Sequence, residues 1–369
     1  MSRFSRAHAL LLAITVLASI IPCQAASPGT SAAAYVLLDA DSGRILCAKH
    51  ETDELPIAST TKIMTALTAL ELGQLSAKTR VKREHLVEGS SMYLAEGEEL
   101  TLEALLYGLL LSSGNDAAAC IADACGGAER FVARMNEKAA ELGMTHTSFK
   151  NPSGLDAASH YSCALDMARL MAAAMENPTF VRIASTQSAT VGARSMTNHN
   201  KLLGSLDGCI AGKTGYTGFA GRTLVTCCER GGLRLIAVTL NDSTDWDDHA
   251  ELYEYGFSTY RRTAAVRRGE LCGTVRVEGG SLASVPVAAE KSVFYPLAEG
   301  EAITTEAKLP DAVPAPVYEG QEIGTLLVTL AGQEVARIPL VCAQSIPKAG
   351  VPQKAGLWER LARWLTGGE

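Results

Sequence analysis

The chain has 369 residues, of which 47% are hydrophobic and 20% charged, and its formal net charge is −7. That apolar content excludes a disordered chain, and the acidic balance argues against nucleic acid as a partner. The length suits about two domains.

The chain opens Met-Ser-Arg-Phe-Ser-Arg, continues into the apolar run Ala-Leu-Leu-Leu-Ala-Ile-Thr-Val-Leu-Ala-Ser-Ile-Ile, and then reads Pro-Cys-Gln-Ala-Ala. The run is too short for a membrane span, and Cys23 and Ala25 are small residues placed for cleavage. Residues 1–25 therefore read as a secretory signal. Pro22 before Cys23 does not suit lipid attachment. Of the ten cysteines one lies in this leader, leaving nine, with no Cys-x-x-Cys pair and with Cys227 and Cys228 adjacent. This spacing predicts neither a metal site nor a disulfide framework, and most of these side chains are expected to be small and buried.

Residues 34–48 predict a β-hairpin that turns at Asp41-Ser42-Gly43. Next comes Ala-Ser-Thr-Thr-Lys-Ile-Met-Thr-Ala-Leu, with Ile63, Ala66, Leu67 and Leu70 at helical spacing and Gly73 at the expected stop. Ser59 and Lys62 share a helical face here, so an amine can reach a hydroxyl. The same Ser-x-x-Lys could be an N-cap beside a solvated lysine. A second copy, Ser345 to Lys348, lies in a Pro/Gly-rich stretch that cannot be a regular helix.

Further helical patterns run over 102–111, 117–124, 128–142 and 164–175, with Ser113-Gly114-Asn115 in a break between the first two. Strands return over 208–241 and carry Lys213-Thr214-Gly215 just before Tyr216, and a helix at 249–260 follows. Strands at both ends around a helical middle predict one antiparallel sheet with helices packed on it, an α+β fold. After Arg268 short alternating runs (Val275, Val277, Val285, Val287, Val293, Leu326, Val328, Leu330, Ile338 and Leu340) predict a small all-β domain. A Pro-containing linker leads to Leu-Trp-Glu-Arg-Leu-Ala-Arg-Trp-Leu. There Leu357, Trp358, Leu361, Trp364 and Leu365 share one face of a helical wheel, the pattern of an interfacial anchor too short to span a bilayer.

Ser-Gly-Asn alone is ordinary loop chemistry, and Lys-Thr-Gly alone could be a strand edge. In the order Ser-x-x-Lys, Ser-x-Asn, Lys-Thr-Gly, they resemble the signature of the active-site serine penicillin-recognising enzymes. Within that group the chain resembles the low-molecular-weight penicillin-binding proteins of the penicillin-binding protein 5 type, the D-alanyl-D-alanine carboxypeptidases. Lys150-Asn151-Pro152-Ser153-Gly154-Leu155, His160-Tyr161-Ser162 and Asn198-His199-Asn200-Lys201-Leu202-Leu203 add to the resemblance.

The resemblance implies a serine β-lactamase/transpeptidase-like fold and hydrolysis of the terminal D-alanine of peptidoglycan stem peptides through an acyl-enzyme. Ser59 would be the nucleophile and Lys62 its base. Ser113 would sit between Lys62 and Lys213 and relay a proton. Asn115 would bond the substrate backbone, and Lys213 and Thr214 would hold its terminal carboxylate. Gly215 would let the substrate strand lie close, and the backbone N–H groups of Ser59 and Tyr216 would form the oxyanion hole. No cofactor or metal is implied, and β-lactams would be covalent inhibitors. Some relatives carry an arginine where His199 stands. The implied layout is a signal at 1–25, a catalytic domain at 26–264, a β domain at 265–345, and a linker with a membrane-anchor helix at 346–369. A D,D-endopeptidase or transpeptidase, a weak β-lactamase, and a non-catalytic wall-binding sensor of the same fold are the alternatives. Ser-Gly-Asn and the lack of a convincing partner glutamate tell against a class A β-lactamase. The intact serines and lysines tell against a sensor.

Overall fold

The computed structural model describes residues 28–350. The signal peptide and the C-terminal anchor helix expected from the sequence lie outside the described residues. Among the described residues no helix is long and apolar enough to cross a membrane.

Strands Ala34–Asp39 and Ile45–Lys49 form the expected hairpin. They join Leu233–Leu240, Gly221–Arg230 and Cys209–Thr217 in an antiparallel five-stranded sheet, in the order Ile45–Lys49, Ala34–Asp39, Leu233–Leu240, Gly221–Arg230, Cys209–Thr217. The strand that carries Lys213-Thr214-Gly215 is therefore an edge. Every residue of Ala34–Asp39 is buried because both faces of the sheet are covered. Val36 and Leu38 point into a core shared with helices Lys62–Leu72, Leu102–Leu111, Asn115–Ala124, Ala128–Glu141 and Ala164–Met175. The alternate residues Tyr35 and Leu37 meet Leu252 and Tyr253 of helix Asp245–Thr259 on the other face. Period-two alternation thus serves two different layers.

Helices Leu102–Leu111 and Ala164–Met175 have the bounds their apolar spacing predicted. Thr101 caps the first of these, accepting a hydrogen bond from the Ala104 N–H. The last helix of this unit begins at Asp245, four residues before the expected start. The acidic residues Asp245, Asp247 and Asp248 occupy its first turn, where the helix dipole favours negative charge.

The polypeptide leaves this helix straight into strand Tyr260–Val266, which pairs with Val293–Ala298. A six-stranded sheet follows, and Val275, Val277, Val285, Val287, Leu326, Val328, Ile338 and Leu340 form its separate core. Arg44, from the first hairpin, reaches this second unit. It bonds Glu301 and the Pro296 carbonyl and lies against the Tyr260 and Tyr295 rings. The sequence placed residues 346 onward in a linker. In the structure Ile346 is fully buried and pairs with Val317, and Ala349 N donates to Gly279 O, so the chain stays on the β unit through Ala349.

Candidate active site

Ser59 lies in a 3-10 turn, Ala58–Thr61, that runs directly into helix Lys62–Leu72. The serine makes no capping hydrogen bond, so the N-cap alternative is not what the structure contains. Ala58 has a φ of +46°, a left-handed conformation rare for a residue with a Cβ, and this strain turns the chain sharply at the serine. Two glycines allow the turn its close neighbours. A Cβ at Gly154, whose φ is +85°, would lie 1.9 Å from the Ala58 carbonyl oxygen. A Cβ at Gly215 would lie 2.4 Å from Thr223 Oγ1 and 3.0 Å from Ser59 N. The close approach that Gly215 permits in this structure is to the serine turn, and Gly215 also lines the cleft.

Lys62 is fully buried. Its Nζ lies 2.8 Å from Ser59 Oγ, 2.8 Å from Asn115 Oδ1 and 2.6 Å from the Ser153 carbonyl oxygen. Burial, and then the positive charge of Lys213, hold its pKa well below the ordinary lysine value, against a smaller opposing effect of Asp116. Lys213, 2% exposed on the edge strand, donates to Ser113 Oγ (2.9 Å) and to the Thr214 carbonyl (2.7 Å). Burial lowers its pKa to about 7.

Ser113 adopts a φ of +56° in the break between two helices, and this turn aims its hydroxyl at Lys213. Half of its expected position is realised. It bonds Lys213, whereas none of the three Lys62 hydrogen bonds goes to it. Asn115 differs more. It is 3% exposed, its Oδ1 faces Lys62 and its Nδ2 donates to the Glu88 carbonyl at 2.7 Å. Both ends hold protein groups, and the contact seen in this structure is with Lys62.

The cleft above this cluster encloses about 270 Å³, and Ser59, Ser113, His199, Thr214, Gly215 and Tyr216 all line it. Lys62, Asn115 and Lys213 lie behind that wall. Tyr216 is 70% exposed, with its side chain outward. His199 stands on the rim, where partial desolvation and then the Lys213 charge lower its pKa.

Sequence reasoning missed several supports. Ser153 contributes a carbonyl to Lys62, and Thr65 Oγ1 donates to the Pro152 carbonyl. His160 accepts the Lys150 N–H at Nδ1, which leaves Nε2 as the protonated nitrogen facing Thr61 Oγ1 at 2.9 Å. Burial lowers the pKa of this histidine to about 4 and keeps it neutral. The segments around 150 and 160 stood out only by resemblance, and the structure shows why they matter: both brace the serine turn. Arg222, Asp245 and Trp246 also line the cleft, and no local motif marked them.

A serine–lysine pair beside a second buried lysine, at the edge of a helix-covered antiparallel sheet, defines the class of penicillin-binding and β-lactamase-like acyl-transfer enzymes. A family model described as D-alanyl-D-alanine carboxypeptidase, peptidase S11, matches residues 22–244, and one described as the penicillin-binding protein 5 C-terminal domain matches 260–348. The chain is 33% identical to the D-alanyl-D-alanine carboxypeptidase DacF of Bacillus subtilis over 85% of this chain and 86% of that protein. It is 38% identical to DacB2 of Mycobacterium tuberculosis over 63% of this chain and 84% of that one. The crystal structure of penicillin-binding protein 5 from Haemophilus influenzae superposes with a TM-score of 0.76 at 26% identity, covering 88% of this chain and 99% of that one. The chain belongs to the D-alanyl-D-alanine carboxypeptidase family.

The close packing of Gly154 on Ala58 yields a test. Gly154→Ala is expected to cost about 2–4 kcal/mol and to slow acylation by a fluorescent penicillin more than about tenfold. Gly143→Ala also has a positive φ (+68°) but nothing within 4 Å, so it should cost about 1 kcal/mol and leave acylation unchanged. Thermal melts and labelling rates of the two variants make the comparison.

Proposed function

We propose that, in this serine-type D-alanyl-D-alanine carboxypeptidase, Ser59 is the acylated nucleophile and Lys62 the general base that activates it. The observation that carries this reading is the 2.8 Å approach of a fully buried lysine amine to the serine hydroxyl. A neutral amine has two N–H bonds and one lone pair. Asn115 Oδ1 and the Ser153 carbonyl can only accept, so they take the two N–H bonds. The lone pair is then left for the proton of Ser59 Oγ. As Oγ attacks the carbonyl of the penultimate D-alanine, that proton passes to Lys62 Nζ.

The tetrahedral oxyanion is stabilised by the backbone N–H groups of Ser59 and Tyr216. Ser113, bonded to Lys213, gives its proton to the leaving amine of the terminal D-alanine and takes one in return from Lys62, which becomes neutral again. Lys62 then accepts a proton from the water that attacks the ester and returns it to Ser59 Oγ as the acid leaves. Lys213 and Thr214 hold the terminal carboxylate. β-Lactams take the same route, because their strained amide presents the same carbonyl to Ser59. Stem peptides of peptidoglycan are the natural substrates, and the site works outside the cytoplasmic membrane. Residues 353–369 hold the enzyme to anionic lipid through the Trp358 and Trp364 face, as their composition supports.

Intact-mass measurement after penicillin treatment should show one adduct, mapped to Ser59. Ser59→Ala should lose both the adduct and D-alanine release from a pentapeptide, and an adduct persisting in that variant would overturn the assignment. Deleting residues 353–369 should release the secreted protein from membranes while hydrolysis of a soluble peptide stays near normal. A truncated protein that sediments with membranes as before would contradict the anchor.

A further inference from the structure

The spacing of the cysteines marks no pair, and the structure holds Cys209 and Cys228 as thiols. The sheet brings these two together. Cys209 opens the edge strand Cys209–Thr217, and Cys228 lies directly across from it on strand Gly221–Arg230. Opposed residues of an antiparallel pair have Cα atoms about 4.5–5.5 Å apart and side chains on one face. A disulfide joins Cα atoms about 4.4–6.8 Å apart, so the backbone needs no rearrangement to accept one. Both side chains belong to the face covered by helix Asp245–Thr259.

The two thiols differ in the way a reactive pair requires. Cys228 is fully buried and Cys209 is partly exposed. The Cys228 thiol hydrogen-bonds Cys209, and Asn200 Nδ2 donates to the same sulfur at 3.8 Å. These bonds, the one from Cys228 foremost, lower the pKa of Cys209 against the opposing effect of burial, whereas burial pushes that of Cys228 up. Cys209 is thus the attacking thiolate, and Cys228 is the thiol placed behind it.

The position gives such a bond a use. The edge strand is paired on one side only. Its register shifts between Cys209 and Ala211, so that Ala211 opposes Cys227. That bulge moves Ala211, and Lys213 two residues on, to the face packed by the helical layer, where Lys213 meets Ser113. A slip of one residue would turn Lys213 away from the site.

We propose that Cys209 and Cys228 are a modification site, a dithiol that a small-molecule disulfide closes to a cross-strand bond, and that this bond locks the edge strand in the register that aims Lys213 at Ser113. The Cys209 thiolate attacks one sulfur of the oxidant, forming a mixed disulfide and releasing one thiolate. Cys228 then gives up its proton and attacks the Cys209 sulfur, which expels the second thiolate. Two cysteine thiols are oxidised, and the external disulfide is reduced to two thiols. Disulfides persist outside the cytoplasmic membrane, where the proposed reaction takes place.

The test treats the full-length secreted enzyme with oxidised glutathione, alkylates it and maps its peptides by mass spectrometry without reduction. A Cys209–Cys228 cross-link and the loss of two free thiols are expected, and Cys209→Ser should show neither. In Cys228→Ala, glutathione should stay on Cys209 as a mixed disulfide. The oxidised enzyme should melt on the order of 5 °C above the reduced one, and dithiothreitol should reverse the gain. It should also keep its rate of acylation by a fluorescent penicillin at temperatures where the reduced enzyme loses it. Cys272→Ser, a change in the β unit, should leave the cross-link and both gains intact. The absence of a link between Cys209 and Cys228, or a link of either to another cysteine, would overturn the site. An oxidised enzyme that melts no higher, or that is acylated more slowly, would overturn its role in holding the strand.

Discussion

Lys62 and Lys213 are buried in one cluster, close enough for the charge of one to depress the pKa of the other. Two ammonium groups taken out of water side by side are each costly, and each raises the cost of the other. Both lysines therefore release a proton more readily than a lysine in water, Lys62 through burial and the charge of Lys213, and Lys213 through burial. The proposed role of Lys62 as a base needs this desolvation. In a solvated position Lys62 would stay protonated and could not act as a base at neutral pH.

The rest of the fold can be understood as what holds that cluster dry and aligned. The sheet supplies an edge strand whose inner side chain, Lys213, is covered by the helical layer. The break after helix Leu102–Leu111 brings Ser113 to Lys213 and Asn115 to Lys62. Asp116 then ties the neighbouring loop down, accepting from the N–H groups of Met92 and Leu94 and from the Ser91 hydroxyl. The 150–160 segment closes the other side through Ser153, Gly154 and His160. The contacts of Asn115, Ser153 and His160 come from parts of the chain about 50 to 100 residues away, and each ends on the serine turn or its lysine. Among the described residues none of the β unit lines the cleft, and Arg44 ties that unit to the first hairpin.

Much of this was legible beforehand because it is local. Helical spacing defined Leu102–Leu111 and Ala164–Met175, Asp-Ser-Gly marked the first hairpin, and alternating valines gave the separate β core. The three short motifs named the residues that meet, although their meeting is a long-range event that only resemblance could supply. What escaped has a common cause. Ala58 has no residue-type signature for a positive φ, because its strain is imposed by packing. Arg222 and Asp245 are 23 residues apart, and nothing in either sequence context marks an ion pair beside a cleft. The approach of Gly215 to the serine turn was not legible, because a glycine in a strand shows that something comes close, without showing what. The end of the β unit was set at 345 because Pro347 and Pro352 look like a linker. Ile346, buried against Val317, is an apolar residue that could have extended it.

The lowered proton affinity of the lysine pair can be measured directly as the pH dependence of kcat/KM for D-alanine release, which reports the free enzyme. The fraction of enzyme with neutral Lys62 grows as pH rises through its depressed pKa, so the rate should climb on the acid side. Lys213 loses its charge on the alkaline side, near its pKa of about 7, so the gain should stop there and carboxylate binding weaken. The two limbs belong to the pair rather than to either residue. A profile that levels off or falls well below the ordinary lysine value of 10.5 is the expected result. A rate that keeps rising through that value, as a solvated lysine base would give, would contradict the buried-pair mechanism.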